Sequence, residues 1–271
     1  MKTALHPEAT PKLGLDSFDD FVNEALTILE AAEKEGILVR LMGAVAVRIH
    51  CPKHAILYDS IDRPPTDIDL ASYLKFKDRL PKFLQAKGYT TDVRLMNFPI
   101  FADANRQIYQ GKTRLDVFFD ELRMCHTVSW KNRLELDYPT ISLADIVLEK
   151  LQIVKINAKD VKDLIMLFLE HDVAGAEQET INGRYVAEVL SNDWGFYYTA
   201  TANLRKIVNL MDDYVTLKSD ERNTILERTG KILDLIERKP KSLRWIMRSK
   251  VGTKKQWYAD VGETQVPTKV E

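Results

Sequence analysis

Three aspartates of this chain stand in apolar surroundings at spacings that suit a divalent-metal site. Asp67 and Asp69 alternate with apolar residues in the stretch RPPTDIDLAS, and Asp116 lies inside a later apolar run, TRLDVFF. Residues i and i+2 of a strand point to the same face, so the first two carboxylates are expected to stand side by side. Carboxylate oxygens are ligands that Mg²⁺ and Mn²⁺ prefer, and these ions assist phosphoryl displacement. Because Asp-x-Asp also occurs on solvated strand edges and at helix caps, the pair alone does not assign this chemistry.

The third aspartate requires a partner of opposite charge or contact with water. An unpaired carboxylate in the middle of an apolar strand costs several kcal/mol when it is buried. Asp116 is therefore predicted to face the same cleft as Asp67 and Asp69. The alternative is an edge strand on which Asp116 pairs with Arg114 or Lys112 in solvent.

A candidate anion site precedes the aspartates. An apolar run from Ile37 to Met42 ends at Gly43 and passes into Ala44 and further residues that can start a helix. The first turn of a helix presents backbone N–H groups that have no partner within the helix, and these groups attract phosphate. Gly43 and Ala44 are thus candidates for binding phosphate, although glycine is also common at ordinary strand-to-helix turns.

A lysine later in the chain is another candidate for contact with phosphate. Ser142 is predicted to begin a helix in the manner of a capping box, and Lys150 falls beside the apolar stripe of that helix. Such a lysine either extends its ammonium group to the surface or points into a cleft, where it neutralises phosphate. Asp160 and Asp163 open the next helix, and favourable placement of acids at a helix N-terminus explains them without catalysis.

In their order, these features resemble the DNA polymerase beta superfamily of nucleotidyltransferases, in particular its minimal and AbiEii-like branch, which is found in toxin–antitoxin systems. The family pattern is an apolar residue, Gly, then Gly or Ser, a helix, an Asp-x-Asp strand and a third acid on a neighbouring strand. Its AbiEii-type members add a lysine-bearing helix and a basic-Asp-x-x-Asp-Leu signature. The corresponding segments here are Met42 to Ala44, Thr66 to Leu70, Leu115 to Val117, and Ser142 to Phe168 with Lys159 to Leu164.

The resemblance implies transfer of a nucleoside monophosphate from an NTP to RNA, protein or a small molecule, with Mg²⁺ or Mn²⁺ as cofactor. It assigns roles to six residues: catalysis and metal binding to Asp67, Asp69 and Asp116, and nucleotide-phosphate binding to Gly43, Ala44 and Lys150. Ala44 departs from the family pattern because it lacks a hydroxyl group that could reach a triphosphate. The alternative function is therefore a nucleotide- or RNA-binding interaction module of the same fold with weakened turnover.

The remaining pattern predicts an α+β fold, in which a nucleotidyltransferase-like mixed sheet is flanked by helices and followed by a C-terminal helical domain. Helices are predicted over Asp16 to Glu35 and Lys75 to Lys87, and a hairpin around Gly111 carries Asp116. From about Ala174 onward the pattern predicts helices alone. The expected division is a nucleotidyltransferase-like domain over residues 1–172, a helical domain over 173–250 and a tail over 251–271.

The segment from Lys239 to Trp257 contains seven Lys or Arg residues, two tryptophans and no acid. Basic residues interleaved with aromatic ones can grip a nucleic-acid backbone and stack on bases, so RNA is a possible acceptor. The alternative is a solvated amphipathic helix that buries its apolar residues, namely Leu243, Trp245, Ile246 and Met247.

The composition of the chain excludes several classes of protein. Its 271 residues are 45% hydrophobic and carry a net charge of −1, which suits a sizeable core but not a whole-chain electrostatic binder of nucleic acid. Without a long apolar run or a signal-like N-terminus, the chain is expected to contact no membrane and to lie in the cytoplasm. Cys51 and Cys125 are too few for a disulfide framework. No P-loop or Gly-x-Ser-x-Gly motif is present.

Overall fold

The computed structural model describes residues 15–55, 57, 65–91 and 105–261, and a mixed five-stranded sheet lies at the centre of its N-terminal part. The strands are β1 (Val39–Met42), β2 (Asp67–Ser72), β3 (Thr90–Thr91), β4 (Arg106–Gln110) and β5 (Arg114–Phe119). They lie in the order β1-β2-β5-β4-β3, in which β2 and β5 are parallel and the other neighbours are antiparallel. The parallel pair therefore brings two distant segments of the chain side by side at the middle of the sheet.

The two faces of β2 and β5 differ in polarity because successive side chains of a strand point in opposite directions. The residues on one face are apolar and fully buried: Ile68, Leu70, Leu115, Val117 and Phe119. The residues on the other face are mostly charged: Asp67, Asp69, Arg114 and Asp116. The hydrophobic effect on the first face therefore determines which face the charged groups occupy.

Helices pack around this sheet in the N-terminal part. Helix α1 (Phe18–Lys34) is capped by Ser17, one of the two residues that the sequence offers as its cap. The side chain of Ser17 forms a capping box with Asp20. Helix α2 (Gly43–His50) follows β1 directly, and both α1 and α2 contact β1 and β2. The predicted helix over residues 75–87 is too long. A 3₁₀ turn (Leu74–Phe76) precedes a short helix α3 (Leu80–Gln85), which places Pro81 in the first turn, where its missing N–H costs nothing.

A hairpin and two helices connect the sheet to the C-terminal part. The hairpin consists of β6 (Glu121–Arg123) and β7 (Thr127–Ser129). Helix α4 (Leu143–Leu151) is capped by Ser142, as predicted, and helix α5 (Ala158–Glu170) is capped by Asn157. Both helices pack against α2. The candidate lysine, at position 150, is thereby brought near the start of α2.

The C-terminal part is mainly helical. Its helices are α6 (Gly183–Asn192), α7 (Trp194–Leu210), α8 (Ser219–Arg238) and α9 (Leu243–Val251), with 3₁₀ turns at Met211–Asp213 and Gly252–Lys254. The prediction of helices alone after about Ala174 is wrong. A parallel strand pair, β8 (Val173–Ala174) and β9 (Ile181–Asn182), occupies the start of this part. Helix α6 begins after it, at Gly183, and is capped by the side chain of Asn182.

A single buried apolar cluster extends from Phe21 in α1 to Ile236 in α8. Helix α8 packs on α5 and α6, while α4 packs on α6 and α7. The predicted α+β class, with a mixed sheet flanked by helices and a helical C-terminal region, is confirmed. The domain boundaries at residues 172 and 250 remain predictions. No helix in the described ranges is long and apolar enough to cross a membrane.

Candidate active site

The three predicted aspartates converge on one face of the sheet. Asp69 lies opposite Asp116 in the parallel pairing of β2 with β5, and Asp67 stands two residues before Asp69 on the same face. One carboxylate oxygen from each of the three lies within 4.8 Å of the other two, and no other group of three His, Cys, Asp or Glu side chains among the described residues meets this distance. Such a spacing allows one divalent cation to contact all three side chains.

Two arginines form ion pairs with this cluster. Arg106 forms an ion pair with Asp116, and Arg114 pairs with Asp67 while its Nη2 also lies 3.3 Å from Asp116 Oδ2. Burial lowers the pKa of Arg114, but the negative charges of the surrounding aspartates outweigh burial, so the pKa is raised overall. The predicted alternative, an exposed edge strand, is wrong because β5 lies between β2 and β4 and Asp116 is 1% exposed.

These ion pairs leave part of the cluster's negative charge without a partner among the described residues. No described residue donates a hydrogen bond to Asp116 Oδ1, although this oxygen is buried. Burial raises the pKa of Asp69 well above its ordinary value, and the carboxylates of Asp67, Asp116 and Glu149 raise it further, whereas Lys150 lowers it. An uncompensated buried carboxylate oxygen and several mutually repelling carboxylates are the donor set that Mg²⁺ or Mn²⁺ would bind.

Gly43 is placed directly against the aspartates. Its backbone has φ +68°, and a Cβ atom at this position would collide with Asp69 Oδ2. Glycine is thus required here both for the backbone conformation and for the space. The predicted anion site at the start of α2 is nevertheless occupied, since the N–H of Gly43 donates a 3.1 Å hydrogen bond to Glu149 Oε2.

Lys150 points into the same region and does not extend to the surface. It is 5% exposed, and its Nζ lies 3.2–3.3 Å from carboxylate oxygens of Glu149, Asp160 and Asp163. The sequence position of Asp160 and Asp163 suggested only that they stabilise a helix N-terminus. In the structure they also hold the ammonium group of Lys150. Their i and i+3 spacing, which puts both on one face of α5, was the available signal.

Most of these groups line one cavity of about 380 Å³, whereas Gly43 and Asp163 are not among its lining residues. Its charged walls consist of carboxylates and cations in comparable number: Asp67, Asp69, Asp116, Glu149, Asp160, Arg106, Arg114, Arg123 and Lys150. Its apolar walls include Met42, Phe118, Leu122 and Val261. Ala44 lies at the start of α2 and is 9% exposed, but it is not one of the lining residues. The lining is therefore highly charged, with five carboxylates and four cationic side chains.

Sequence reasoning assigned no functional role to Glu149, Arg106 or Arg114. Arg114 was available as a signal, because it stands two residues before Asp116 and so shares its face. Arg106 reaches the site from β4, where it lies opposite Phe118 across the hairpin. Glu149 reaches it from α4, 106 residues after its partner Gly43. Neither long-range contact has a local sequence pattern that would reveal it.

The basic segment differs from the amphipathic packing helix considered above. None of the residues of α9 is buried, and three apolar side chains are exposed to solvent, Leu243 at 79%, Met247 at 64% and Ile246 at 42%. Trp245 is half-buried and packs edge-on against the ring of Tyr197, with centroids 5.1 Å apart. The idea that α9 buries all four apolar residues is therefore wrong.

The residues after α9 return toward the candidate site. The indole N–H of Trp257 donates to Thr199 Oγ1 at 3.1 Å, and the N–H of Ala259 donates to the carbonyl of Cys125 at 3.0 Å. Between this return segment, α9 and Trp194 lies a second cavity of about 630 Å³, which shares Cys125 with the first. The predicted tail over 251–271 thus includes packed residues as far as 261, and residues 262–271 lie outside the described part.

The similarity of this chain to known proteins is low. No protein-family model matches it, and no curated protein does either. Among solved structures, the chain is similar to the antibiotic-resistance factor ANT(2'')-Ia, with a TM-score of 0.38 and 12% sequence identity. That match covers 55% of this chain and 83% of the other.

Proposed function

We propose that this protein is a nucleotidyltransferase that depends on Mg²⁺ or Mn²⁺ and moves a nucleoside monophosphate from an NTP to an acceptor. The observation that supports this most is the convergence of Asp67, Asp69 and Asp116 on one face of the sheet, within 4.8 Å. The order of the sequence motifs supports the AbiEii-like branch, and with it a role in a toxin–antitoxin pair.

In this proposal, the acceptor oxygen attacks the α-phosphorus of the NTP. The bond between that phosphorus and the oxygen bridging to the β-phosphorus breaks, and pyrophosphate leaves. Asp67 and Asp69 would hold the metal, which would stabilise charge on the reacting oxygens. Asp116 would complete the metal site, and it would either lower the pKa of the attacking hydroxyl group or accept its proton. Its position on a strand adjacent to Asp69 suits both tasks.

Binding of the triphosphate is assigned to the start of α2 and to α4. The backbone N–H groups of Gly43 and Ala44 and the ammonium group of Lys150 offer donors and positive charge to phosphate oxygens. Lys150 supports this role because it lines the cavity that also contains the aspartates. Its present carboxylate partners must share it with the nucleotide.

The test is to incubate the protein with each labelled NTP, Mg²⁺ and total cellular RNA or protein, and to follow transfer of label. Wild-type protein should label an acceptor, whereas Asp69→Asn should fold but bind Mn²⁺ weakly and transfer nothing, because an amide lacks the charge that holds the ion. Transfer at the wild-type rate by Asp69→Asn would refute the assignment. Absence of transfer by wild-type protein that still binds NTP would favour the binding module.

RNA is the acceptor that the surface of α9 supports. Arg244 and Lys250 are exposed on this helix beside the apolar side chains, and the cavity beneath it is lined by Trp194, Trp245 and Trp257. Bases stack on such rings while basic groups contact phosphates. This cavity meets the first one at Cys125, so a bound strand could extend toward the aspartates.

The RNA proposal has a salt-dependent test. Arg244→Glu and Lys250→Glu should each flatten the dependence of log affinity on log salt concentration by about one unit, if each removes one phosphate contact. Arg248 is less suitable, because it lies over the ring of Trp194 and donates to the carbonyls of Gly252, Lys255 and Gln256. Unchanged slopes in both variants would favour a protein or small-molecule acceptor.

A further inference from the structure

One buried carboxylate holds two of the three groups to which phosphate binding has been assigned. Glu149 Oε2 accepts a hydrogen bond from the N–H of Gly43 at 3.1 Å, and Glu149 Oε1 lies 3.3 Å from Nζ of Lys150. A phosphate oxygen would seek the same two partners, a helix N-terminal N–H and an ammonium group. The carboxylate therefore occupies the position that the nucleotide requires.

We propose that Glu149 is an internal stand-in for phosphate, which keeps the phosphate-binding groups of the site occupied until a polyphosphate displaces it. The inference rests on the proposed function, because that function assigns Gly43 and Lys150 to the nucleotide. Glu149 then lowers the affinity for every polyphosphate ligand, and it selects against weakly charged anions that cannot compete with a carboxylate held in place.

A metal-ligand role does not account for this position. The group of carboxylate oxygens that lie within 4.8 Å of one another contains Asp67, Asp69 and Asp116 but, among the described residues, not Glu149. Glu149 instead contributes charge to the neighbourhood of Asp69, whose pKa it raises. Replacing Glu149 should therefore leave the binding of a divalent cation alone nearly unchanged.

An ordinary helix cap does not account for it either. The residue at the N-cap of α2 is Met42, which makes no side-chain cap. The unpaired N–H groups of a helix's first turn usually find an acceptor in a Ser, Thr, Asp or Asn side chain at the N-cap. Here the acceptor comes instead from α4, lines the cavity and is 7% exposed. Burial raises the pKa of Glu149, so its charged form is held at a cost that departure from the site would relieve.

The experiment measures binding of Mg²⁺-tripolyphosphate by isothermal titration calorimetry. Glu149→Gln keeps an oxygen for the N–H of Gly43 but removes the charge, and Glu149→Ala removes the side chain. Both variants should bind tripolyphosphate about tenfold tighter than wild type or more, the factor that one competing charge-assisted hydrogen bond supplies. Mn²⁺ alone should bind all three proteins with similar affinity.

Glu170→Gln is a matched control. Glu170 is a buried side chain of α5 that also accepts backbone N–H groups, from Lys53 and His54, but it does not line the cavity. This variant should bind tripolyphosphate as wild type does. Equal or weaker binding by both Glu149 variants, or equally tighter binding by Glu170→Gln, would overturn the inference. So would a large loss of Mn²⁺ affinity in Glu149→Gln, since that would make the residue a metal ligand.

The inference and the proposed function can fail separately. Tighter tripolyphosphate binding by Glu149→Gln, with no nucleotide transfer from any NTP, would support the inference and refute the function. Nucleotide transfer by wild-type protein, together with equal tripolyphosphate affinities of wild type and the Glu149 variants, would support the function and refute the inference.

Discussion

Replacement of Arg114 by glutamine is expected to strengthen metal binding. The guanidinium group of Arg114 pairs with Asp67 and lies 3.3 Å from Asp116. A divalent cation that contacts the same carboxylates must compete with this positive charge. Glutamine is shorter and neutral, so the aspartates of the variant have fewer internal partners and more net negative charge for the metal.

The size of the effect follows from the two contacts. A hydrogen bond to a charged group contributes about 1.5–3 kcal/mol when it is well buried. Because the Arg114 side chain is 28% exposed, solvent screening reduces this to about 1 kcal/mol for each contact. Two contacts give about 2 kcal/mol, which corresponds to about a thirtyfold increase in affinity.

The assay is titration with Mn²⁺, followed by electron paramagnetic resonance of the free ion. Arg205→Gln is the matched control, because Arg205 pairs with the exposed Glu237 outside the cavity. This variant should bind Mn²⁺ with the affinity of wild type. Asp69→Asn should bind weakly in either background. If Arg114→Gln binds Mn²⁺ no more tightly than wild type, the idea that this arginine occupies the place of the metal is wrong.

Three further predictions concern stability. Burial lowers the pKa of His126 to about 4. Between about pH 6.5 and pH 4, a proton therefore binds this histidine in the unfolded chain but not in the folded protein. Wild type consequently loses stability as the pH falls through this window. His126→Gln lacks this proton uptake, so its stability relative to wild type should improve by about 2–3 kcal/mol from pH 7 to pH 4 in urea denaturation, and a constant difference would contradict the reasoning. Gly43→Ala should lower the free energy of unfolding by about 1–3 kcal/mol and weaken Mn²⁺ binding, because the added Cβ collides with Asp69. The control is Gly230→Ala, whose Cβ meets no atom within 4 Å and which should stabilise helix α8 by about 0.5–1 kcal/mol. Equal shifts of the melting temperature in the two variants would refute this. Lys150→Met leaves its carboxylate partners without their cation and should cost about 3–5 kcal/mol in the same denaturation assay, and a loss below 1 kcal/mol would show that water compensates them.

The local parts of the fold could be predicted from sequence because their causes are local. The period of two around Asp67 and Asp69 identified a strand with one charged face, and Ser142 identified the start of a helix. The hairpin that carries Asp116 followed from alternation on both sides of a Gly-Lys turn. Each of these patterns depends on residues that lie within a few positions of one another.

The parts that could not be predicted depend on contacts between distant segments. The partner of Gly43 is Glu149, 106 residues later, and no periodic signal reveals this pairing. The spacing of Asp160 and Asp163 places them on one face of α5, but it does not show that this face meets Lys150. The same holds for α9, whose apolar stripe was expected to be buried. Amphipathic spacing predicts which side of a helix is apolar, but it does not determine whether another element covers that side.

The pairing of β2 with β5 makes the candidate site a reporter of correct folding. Asp69 stands opposite Asp116 in the same register that buries Ile68, Leu70 and Val117 on the other face. A slip by one residue would turn every side chain of one strand over, which would separate the aspartates and expose the apolar residues together. Chains that mispair these strands would thus bind no metal at this position. The fraction of a refolded preparation that binds Mn²⁺ would therefore count the molecules whose central strands have paired in the native register.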